Sequence, residues 1–151
     1  MPPALRRATP ADAAVIVEFN RRLAEESEGK ALDRGVLAAG VAACLADPAK
    51  AVYFVAEDGG RVVGQVMLTT EWSDWRNGWI WWIQSVYVVP EQRRRGVFRA
   101  LFEHVCRQAR EDPGVIGLRL YVEGENRAAQ ETYARLGMTR TNYHVLERYP
   151  L

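Results

Sequence analysis

The chain is poor in the residues that anchor metals and in the apolar runs that cross membranes. Its 151 residues include only two cysteines, Cys44 and Cys106, each within a helical pattern and without metal-ligand spacing. No apolar run approaches the roughly 18 residues of a membrane-spanning helix, and the N-terminus lacks the apolar core of a signal peptide. We therefore expect a cytoplasmic protein that needs no metal, with both cysteines reduced and packed in the core.

An excess of charge of one sign is also missing. The chain carries 20 basic and 19 acidic residues, for a net charge of +1. This balance does not favour bulk binding to nucleic acid or to a membrane surface, so we predict neither partner. The contents of 48% apolar and 26% charged residues are ordinary for a soluble globular protein, and the length suits one domain, predicted over residues 1–151.

The stretch Ile80–Leu101 contains neither the P-loop pattern nor the dinucleotide-binding G-x-G-x-x-G. It contains instead a strand followed directly by a helix. Residues Trp79–Val89 form an almost unbroken apolar run, typical of a strand covered on both faces, and Pro90 closes it. From Val97 the apolar residues recur with the period of a buried helix, which we predict to continue to about Arg110.

Three arginines and a glycine, Arg93–Gly96, lie between this strand and this helix. A helix N-terminus carries partial positive charge and free N–H groups, so the arginines oppose the helix dipole. An anion bound to the amides and the guanidinium groups would resolve the conflict, and Gly96 would let the backbone approach it closely. The alternative is a solvated basic helix start that binds nothing; the buried strand and tight turn favour a phosphate site.

The remaining segments predict an α/β arrangement. Residues 58–60 are a hairpin signal, and Thr9 and Asn126 are helix caps. Because a helix joins Trp79–Val89 to Val115–Val122, those two strands are predicted to be parallel. The other predicted elements are a strand at Leu5–Ala8, helices from Thr9 to about Glu25 and from about Asp33 to Leu45, an acidic loop at Glu25–Lys30, strands at Ala51–Glu57 and Arg61–Thr70, a turn at Glu71–Gly78, a helix at Arg127–Leu136 and a final strand at Met138–Arg148.

The block Val88–Leu101 resembles the acyl-CoA-binding motif of the GNAT superfamily of acyl-CoA N-acyltransferases, the N-acetyltransferases. That motif is a strand ending V-x-P, then [Q/R]-x-x-G-x-[G/A], then a helix. Phe98 stands where the family normally has glycine or alanine. The residues that match the motif or continue it in the usual style are Arg93, Arg94, Arg95, Gly96, Val97, Arg99, Ala100 and Leu101.

A second block, Leu120–Met138, resembles the family pattern L-x-V-x-x-x-N-x-x-A-x-x-x-Y-x-x-x-G-[F/M]. Asn126, Ala129 and Tyr133 fall on one helix face because three and seven steps return a helix to the same side. The resemblance implies that Asn126 hydrogen-bonds the pantetheine arm and that Tyr133 donates a proton to the departing thiolate. Taken singly, Asn126 also fits a plain helix cap, and Tyr133 half-buried packing. Their joint spacing is more specific than either residue.

The resemblance covers nearly the whole chain and implies a GNAT-like α/β fold. That fold has a central, mostly antiparallel α+β mixed sheet with one parallel splayed strand pair, flanked by about four helices. The resemblance also implies acetyl-CoA as the acyl-donor cosubstrate, with no metal. The acetyl-CoA-binding residues that it implies are Val86, Tyr87, Val88, Arg93, Arg94, Arg95, Gly96, Val97, Phe98, Arg99, Asn126, Ala129 and Tyr133.

Acetyl transfer to an amine needs a group that accepts a proton, because a lysine-like amine has a pKa of about 10.4. Glu71, Asp74 and Glu123 are the candidates, acting through water; Glu71 joins Tyr133 in the predicted catalytic pair. Backbone N–H groups near Ser85–Tyr87 would hold the thioester oxygen if the strand is bulged there. A covalent route through Cys106 is not expected, since its helix position is typical of the core.

All five tryptophans lie within residues 72–82. Trp72 and Trp75, in the predicted turn beside Glu71, are predicted to receive the ammonium group of the acceptor through cation–π contacts, with Glu123 as a third substrate-binding residue. The competing interpretation is that the rings pack together to stabilise the hairpin and cover the sheet. The acidic segment Glu25–Glu28 is another candidate for attracting the amine, with a solvated turn as the alternative.

These features predict an N-acetyltransferase that moves an acetyl group from acetyl-CoA to a primary amine, of a small molecule or a peptide, by direct attack. The alternative is a non-catalytic acyl-CoA-binding or sensing domain. Tyr133 argues against that alternative, because a pure binder has no need of an acid for the thiolate. An RNA-binding domain built on the arginines has the wrong net charge and no stacking motif. A homodimer is left open.

Overall fold

A mixed sheet of five strands is the framework of the computed structural model, which describes residues 2–151. The strands are β1 (Ala4–Arg7), β2 (Val52–Asp58), β3 (Arg61–Ser73), β4 (Gly78–Val88) and β5 (Val115–Leu120). They lie side by side in chain order; β1 to β4 are antiparallel, and β4 and β5 are parallel.

Four α-helices complete the fold: α1 (Ala13–Glu28), α2 (Arg34–Ala46), α3 (Val97–Glu111) and α4 (Arg127–Arg135). The predicted fold class is therefore confirmed, with a mostly antiparallel mixed sheet, one parallel strand pair and four helices. Within residues 2–151, no helix combines the length and the apolar content needed to cross a membrane.

The chain forms two compact units, residues 1–120 and residues 121–151. The first unit contains the sheet with α1, α2 and α3, and the second contains α4 and the segment after it. Met1, the first residue of the predicted single domain, lies outside the described residues. The interpretation of residues 1–151 as one domain stays a prediction.

In the first unit, α1 and α2 cover one face of the sheet and α3 covers the other. Ile16, Val41 and Tyr53 form a buried cluster between the first two helices and β2. Tyr53 and Phe54 are neighbours on β2 and so point to opposite faces. Phe54 meets His104 of α3 edge to face, with 4.8 Å between the ring centroids. The helix α3 is thus the predicted crossover between the parallel strands.

The predicted cap of the first helix is confirmed, but the predicted acidic loop is wrong in its first part. The backbone N–H of Thr9 donates to the Asp12 carboxylate at 2.8 Å, at the 3-10 turn that leads into α1. The helix then continues through Glu28 and ends at Gly29, which has a φ of 62°. An ion pair between Arg21 and Glu25, one helical turn apart, stabilises these last turns at 2.9 Å.

The predicted turn at residues 71–78 is also too long, because β3 runs to Ser73 and β4 begins at Gly78. Trp72 pairs with Trp79 across the strands, and their rings meet edge to face with 5.1 Å between centroids. Cross-strand aromatic pairs stabilise strand pairing. The ladder therefore extends past the point where the polar residues predicted a turn, and Glu71 is a strand residue.

The predicted final strand at Met138–Arg148 is wrong for the described part of the chain. No strand follows α4 in residues 121–151, and Val145, Leu146 and Tyr149 are exposed. Alternating apolar residues form a strand only where a neighbouring strand takes up their backbone hydrogen bonds. The second unit contains no such neighbour. The strand predicted as far as Val122 likewise ends earlier, at Leu120.

An ion pair ties β1 to the start of α1. Arg6 donates to both carboxylate oxygens of Asp12, each at 2.8 Å, and Asp12 is only 6% exposed. The hydrogen bond from Arg6 lowers the pKa of Asp12 below its ordinary value of 3.8. The stabilisation is therefore complete above pH 3.8 and is lost as the pH falls through the lower pKa of the folded state.

We predict that Asp12→Asn lowers the free energy of unfolding by about 2 kcal/mol near neutral pH, the scale of a hydrogen bond to a charged group. The partly exposed Arg6 keeps the loss below that of a fully buried pair. Urea unfolding at a series of pH values should show the difference from wild type shrinking below pH 3.8. Asp47→Asn, in an exposed pair with Lys50, is the control and should change stability little. A pH-independent loss for Asp12→Asn would contradict the prediction.

Candidate active site

A break in the ladder between β3 and β4 lies at the centre of the site. Gln65 pairs with Tyr87 and Met67 with Gln84, so a step of two residues along β3 faces a step of three along β4. The extra residue makes a β-bulge. Ser85, within the bulge, has a φ of 51°, in the left-handed region that residues other than glycine rarely adopt. The break predicted near Ser85 is confirmed.

Beyond the bulge, β4 has an open edge. In the described residues, β5 pairs with β4 only from Trp79 to Ile83. The predicted acetyl-CoA-binding residues Val86, Tyr87 and Val88 therefore lie past the last parallel pair. One edge of this segment pairs with β3. The other edge has no strand partner in the described residues, and the Val88 carbonyl there accepts a hydrogen bond from Arg93.

The loop after β4 presents backbone N–H groups at the start of α3. A 3-10 turn at Pro90–Gln92 leads into the three arginines. Arg94 and Gly96 both have left-handed backbones, with φ values of 63° and 84°. Gly96 is the N-cap of α3 and, lacking a side chain, does not itself bind the first N–H groups of that helix. Left-handed residues beside a helix N-terminus form a concave anion site.

The three arginines do not share one role. Arg93 donates from Nε to the Val88 carbonyl at 2.9 Å and from Nη2 to Glu26 at 2.7 Å. Its guanidinium also lies over the Tyr87 ring, 5.4 Å from the centroid, and the Tyr87 hydroxyl donates to Glu26. Arg93 thus fastens the loop to the end of α1. Arg94 and Arg95 are exposed, with their side chains at the surface.

The first turn of α3 packs closely on the sheet. Val97 is 4% exposed, and a Cβ placed on Gly64 of β3 would lie 3.0 Å from its Cγ1 atom. Phe98, at the family's glycine position, is half-buried beside Phe102, with 6.1 Å between ring centroids. Arg99 is paired with Glu103, one turn further along, at 2.8 Å. The bulky Phe98 therefore packs along its own helix.

The second unit carries the remaining predicted acetyl-CoA-binding residues. Asn126 caps α4, because its Oδ1 atom accepts from the backbone N–H of Ala129 at 3.1 Å. Asn126, Ala129 and Tyr133 lie on one face of this helix, as their spacing predicts. Burial raises the pKa of Tyr133 above its ordinary value of 10. Its hydroxyl therefore keeps its proton through the neutral pH range, as a proton donor must.

Glu71 of β3 lies in a polar cluster with residues of the two following strands. Its carboxylate accepts from Trp82 Nε1 at 2.9 Å and from Arg119 of β5 at 3.3 Å. Arg119 also lies over the Trp82 ring, 5.9 Å from its centroid. Sequence reasoning missed Trp82 and Arg119. Strand register could have revealed them, because Trp82 of β4 and Arg119 of β5 are register partners and face the same side of the sheet.

The structure does not bring all the predicted acceptor residues together. Trp72 follows Glu71 on β3 and so points to the opposite face, where it meets Trp79. Trp75 lies in the hairpin turn and is 86% exposed. Glu123 belongs to the second unit, where its carboxylate accepts from the backbone N–H of Glu125 at 2.8 Å.

Neither cysteine has the character of a nucleophile. Cys44 and Cys106 are both half-buried free thiols. Burial raises the pKa of each thiol above its ordinary value of 9.0. The reactive form of cysteine is the thiolate, so both side chains are protonated at neutral pH and a covalent step gains no support.

A mixed sheet, a bulged strand with an open edge and an anion loop at a helix start together define an α/β fold of the acyltransferase class. The sequence model of the Acetyltransferase (GNAT) family matches residues 17–138, most of the chain. The chain therefore belongs to the GNAT family of acetyltransferases. A comparison with curated proteins found no match.

Solved structures agree with this assignment. A possible acetyltransferase from Clostridium difficile 630 is 44% identical, with a TM-score of 0.93 over 100% of this chain and 99% of that one. A predicted acetyltransferase with acetyl-CoA, from Clostridium acetobutylicum, is 18% identical, with a TM-score of 0.77 over 96% and 95%. A ribosomal-protein-alanine N-acetyltransferase from Brucella melitensis biovar Abortus 2308 is 16% identical, with a TM-score of 0.79 over 97% and 99%. The last two likenesses show the fold alone.

We predict that Gly96→Val weakens CoA binding by about five- to thirty-fold, because a side chain in the left-handed conformation costs roughly 1–2 kcal/mol. A Cβ at Gly96 meets nothing within 4 Å, so the backbone alone causes the loss. Arg94→Ala should weaken binding much less, since Arg94 already carries a side chain at a φ of 63°. Calorimetric titration with CoA measures both effects.

Gly29→Val is the matched control for this experiment. Gly29 has a φ of 62°, and a Cβ there also meets nothing within 4 Å, but it ends α1 and lies outside the anion loop. It should lose thermal stability while keeping CoA affinity. Normal CoA affinity for Gly96→Val would show that the anion site lies elsewhere.

Proposed function

We propose that this protein is an N-acetyltransferase that moves an acetyl group from acetyl-CoA to a primary amine by direct attack. The observation that carries the proposal is the continuity of the open edge of β4 with the loop at Arg93–Gly96. An extended chain on that edge would end in a phosphate at the N-terminus of α3. Acetyl-CoA has this form, with a thioester on a long arm and a pyrophosphate at its other end.

The relatives support the choice of donor and reaction. The Clostridium acetobutylicum protein was solved with acetyl-CoA, and the Brucella protein is named an N-acetyltransferase. Both share this fold. Acetyl-CoA as cosubstrate is therefore consistent with the fold and with the anion loop, and the acceptor is proposed to be an amine of a small molecule or a peptide.

The reaction needs an oxyanion donor, an acid and a base. The amine nitrogen attacks the thioester carbonyl carbon, and the negative charge that develops on its oxygen is stabilised by backbone N–H groups of the segment Ser85–Tyr87. The C–S bond then breaks, and the departing CoA thiolate takes the hydroxyl proton of Tyr133. Solvent then reprotonates Tyr133. The ammonium proton leaves through water to a carboxylate, for which we propose Glu71.

The face of Glu71 is proposed as the acceptor surface. Trp82 and Arg119 each bind one of the two carboxylate oxygens of Glu71. A carboxylate has about four acceptor positions, so two remain for an ammonium group or a water. Gln84 and Thr69, joined by a hydrogen bond of 2.6 Å, lie on the same face. The Trp82 ring and the Glu71 carboxylate suit a primary ammonium, which would share this face with the guanidinium of Arg119.

Release of CoA thiol from acetyl-CoA in the presence of a panel of amines tests the proposal. Amine-dependent release, with the acetylated amine identified by mass spectrometry, supports the enzyme. Tight binding of acetyl-CoA without release for any amine, including peptide N-termini and lysine side chains, would favour the acyl-CoA-binding or sensing domain. Absence of CoA binding would overturn both functions.

We predict that Glu71→Gln raises the acceptor KM about tenfold, the worth of one charge-assisted hydrogen bond, and leaves CoA affinity unchanged. Glu57→Gln is the matched control, because Glu57 is also a strand carboxylate paired with an arginine, Arg6, at 2.8 Å. Trp72→Ala should lower thermal stability and leave the acceptor KM unchanged, because Trp72 points away from Glu71 and packs on Trp79. An unchanged KM for Glu71→Gln would exclude its carboxylate from acceptor binding.

We predict that Tyr133→Phe lowers kcat by about 10²–10⁴, the usual contribution of a general acid, and keeps CoA affinity. The loss should shrink with an acyl donor whose leaving thiol has a lower pKa. Because burial raises the pKa of Tyr133, wild-type kcat should show no fall from this group below pH 10. Tyr149→Phe, at an exposed tyrosine of the same unit, is the control. An unchanged kcat in Tyr133→Phe, with chemistry rate-limiting, would remove Tyr133 from the mechanism.

A further inference from the structure

A buried network of polar residues lies beside the bulge of β4. Gln65 donates from Nε2 to Asn20 Oδ1 at 2.8 Å and to the carbonyl of Ser85 at 3.0 Å. Asn20 donates in turn to the Tyr53 hydroxyl at 3.1 Å. Gln65 thus links the backbone of Ser85 to α1 and, through Asn20, to β2.

This network is shielded from water. Gln65 is 0% exposed, Tyr53 is 4% exposed and Asn20 is 8% exposed. Water therefore does not compete for these hydrogen bonds, and in a low-dielectric setting each bond strengthens its neighbours. The four residues come from α1, β2, β3 and β4, so the network links β4 to three other elements.

Gln65 is a costly residue for a core position. Its Oε1 atom is buried and has no hydrogen-bond partner in residues 2–151. A buried acceptor left unpaired lowers stability relative to an apolar side chain of the same shape. Packing alone would be served better by methionine or leucine. The Nε2 atom, which makes both hydrogen bonds of this side chain, is the part that needs an amide.

The target of one of those hydrogen bonds is a strained backbone. Ser85 has a φ of 51°, and a residue with a side chain keeps such a conformation only where its surroundings hold it. The left-handed turn decides which way the N–H groups of the following residues point. Without the hydrogen bond from Gln65 to the Ser85 carbonyl, β4 would relax towards a regular strand and redirect those N–H groups.

We propose that Gln65 is a positioning residue, which holds the Ser85 bulge so that the backbone N–H groups of Ser85–Tyr87 point at the thioester oxygen. The inference rests on the proposed function and deepens it. Gln65 touches neither donor nor acceptor. It acts through Ser85, and its effect belongs to the step in which charge develops on the oxygen.

The test replaces Gln65 by methionine, which is close in size and has no donor. Gln65→Met should lower kcat for acetyl transfer by about 10²-fold, near the loss of one oxyanion donor, and change the acetyl-CoA KM less than about threefold. Val105→Ala is the control for stability, because Val105 is equally buried but lies on α3, away from the polar network. It should lower the Tm at least as much as Gln65→Met does and keep kcat within about twofold.

A rescue separates positioning from general destabilisation. Glycine adopts the left-handed conformation without strain. In Ser85→Gly the bulge should therefore no longer depend on the hydrogen bond from Gln65. The double variant Gln65→Met, Ser85→Gly should recover at least about threefold in kcat over Gln65→Met. A kcat that follows Tm alone in all variants would overturn the proposal, as would an unchanged kcat in Gln65→Met.

A binding measurement keeps this inference distinct from the proposed function. The N–H groups of the bulge are proposed to contact the acetyl carbonyl, which free CoA lacks, so Gln65→Met should reduce the preference for acetyl-CoA over CoA by about two- to threefold. If no amine supports turnover by wild type but this preference falls, the enzyme proposal fails and the role of Gln65 stands. If wild type turns over and Gln65→Met leaves both kcat and the preference unchanged, only the role of Gln65 fails.

Discussion

The left-handed backbone of Ser85 is the constraint on which the rest of the site depends. A regular β4 would continue its pairing with both neighbours and close the edge on which an extended ligand could lie. One extra residue at the bulge interrupts the ladder with β3, two residues beyond the point where the pairing with β5 ends. The strand then leads into the anion loop with one edge open. The buried Gln65 donates a hydrogen bond to the Ser85 carbonyl and links the bulge to Asn20 of α1.

The positive charge of the loop Arg93–Gly96 is accommodated in two ways. The helix dipole of α3 opposes positive side chains at its start, and the structure removes one of them by pairing Arg93 with Glu26 at the end of α1. The left-handed residues Arg94 and Gly96 then turn backbone N–H groups outward. The proposed anion site would thus depend mainly on the backbone, while Arg93 anchors the loop to α1 and Arg94 and Arg95 add surface charge.

The two faces of the β3–β4 hairpin serve different purposes. On one face, Glu71, Trp82 and Arg119 combine opposite charges with an aromatic ring at partly exposed positions. On the other face, Trp72 and Trp79 lock the strands together. Adjacent residues of a strand cannot serve the same surface. This alternation separates a polar cluster able to meet a substrate from an aromatic pair that extends the hairpin.

The sequence by itself determined the features that depend on a few neighbouring residues: the helix caps at Thr9 and Asn126, the glycine hairpin between β2 and β3, the strand, loop and helix of the anion motif, and with them the family. Only the tertiary structure decided which distant residues meet. Gln65 and Asn20 lie 45 positions apart, and Glu71 and Arg119 lie 48 apart. Their meeting depends on strand register, which a single bulge shifts by one residue. The prediction of a final strand was wrong for a related reason. Alternating apolar residues indicate that a segment can form a strand, but they do not show that a neighbouring strand is available to pair with it. Local conformation follows from neighbouring side chains, whereas pairing follows from where the whole chain brings its backbone.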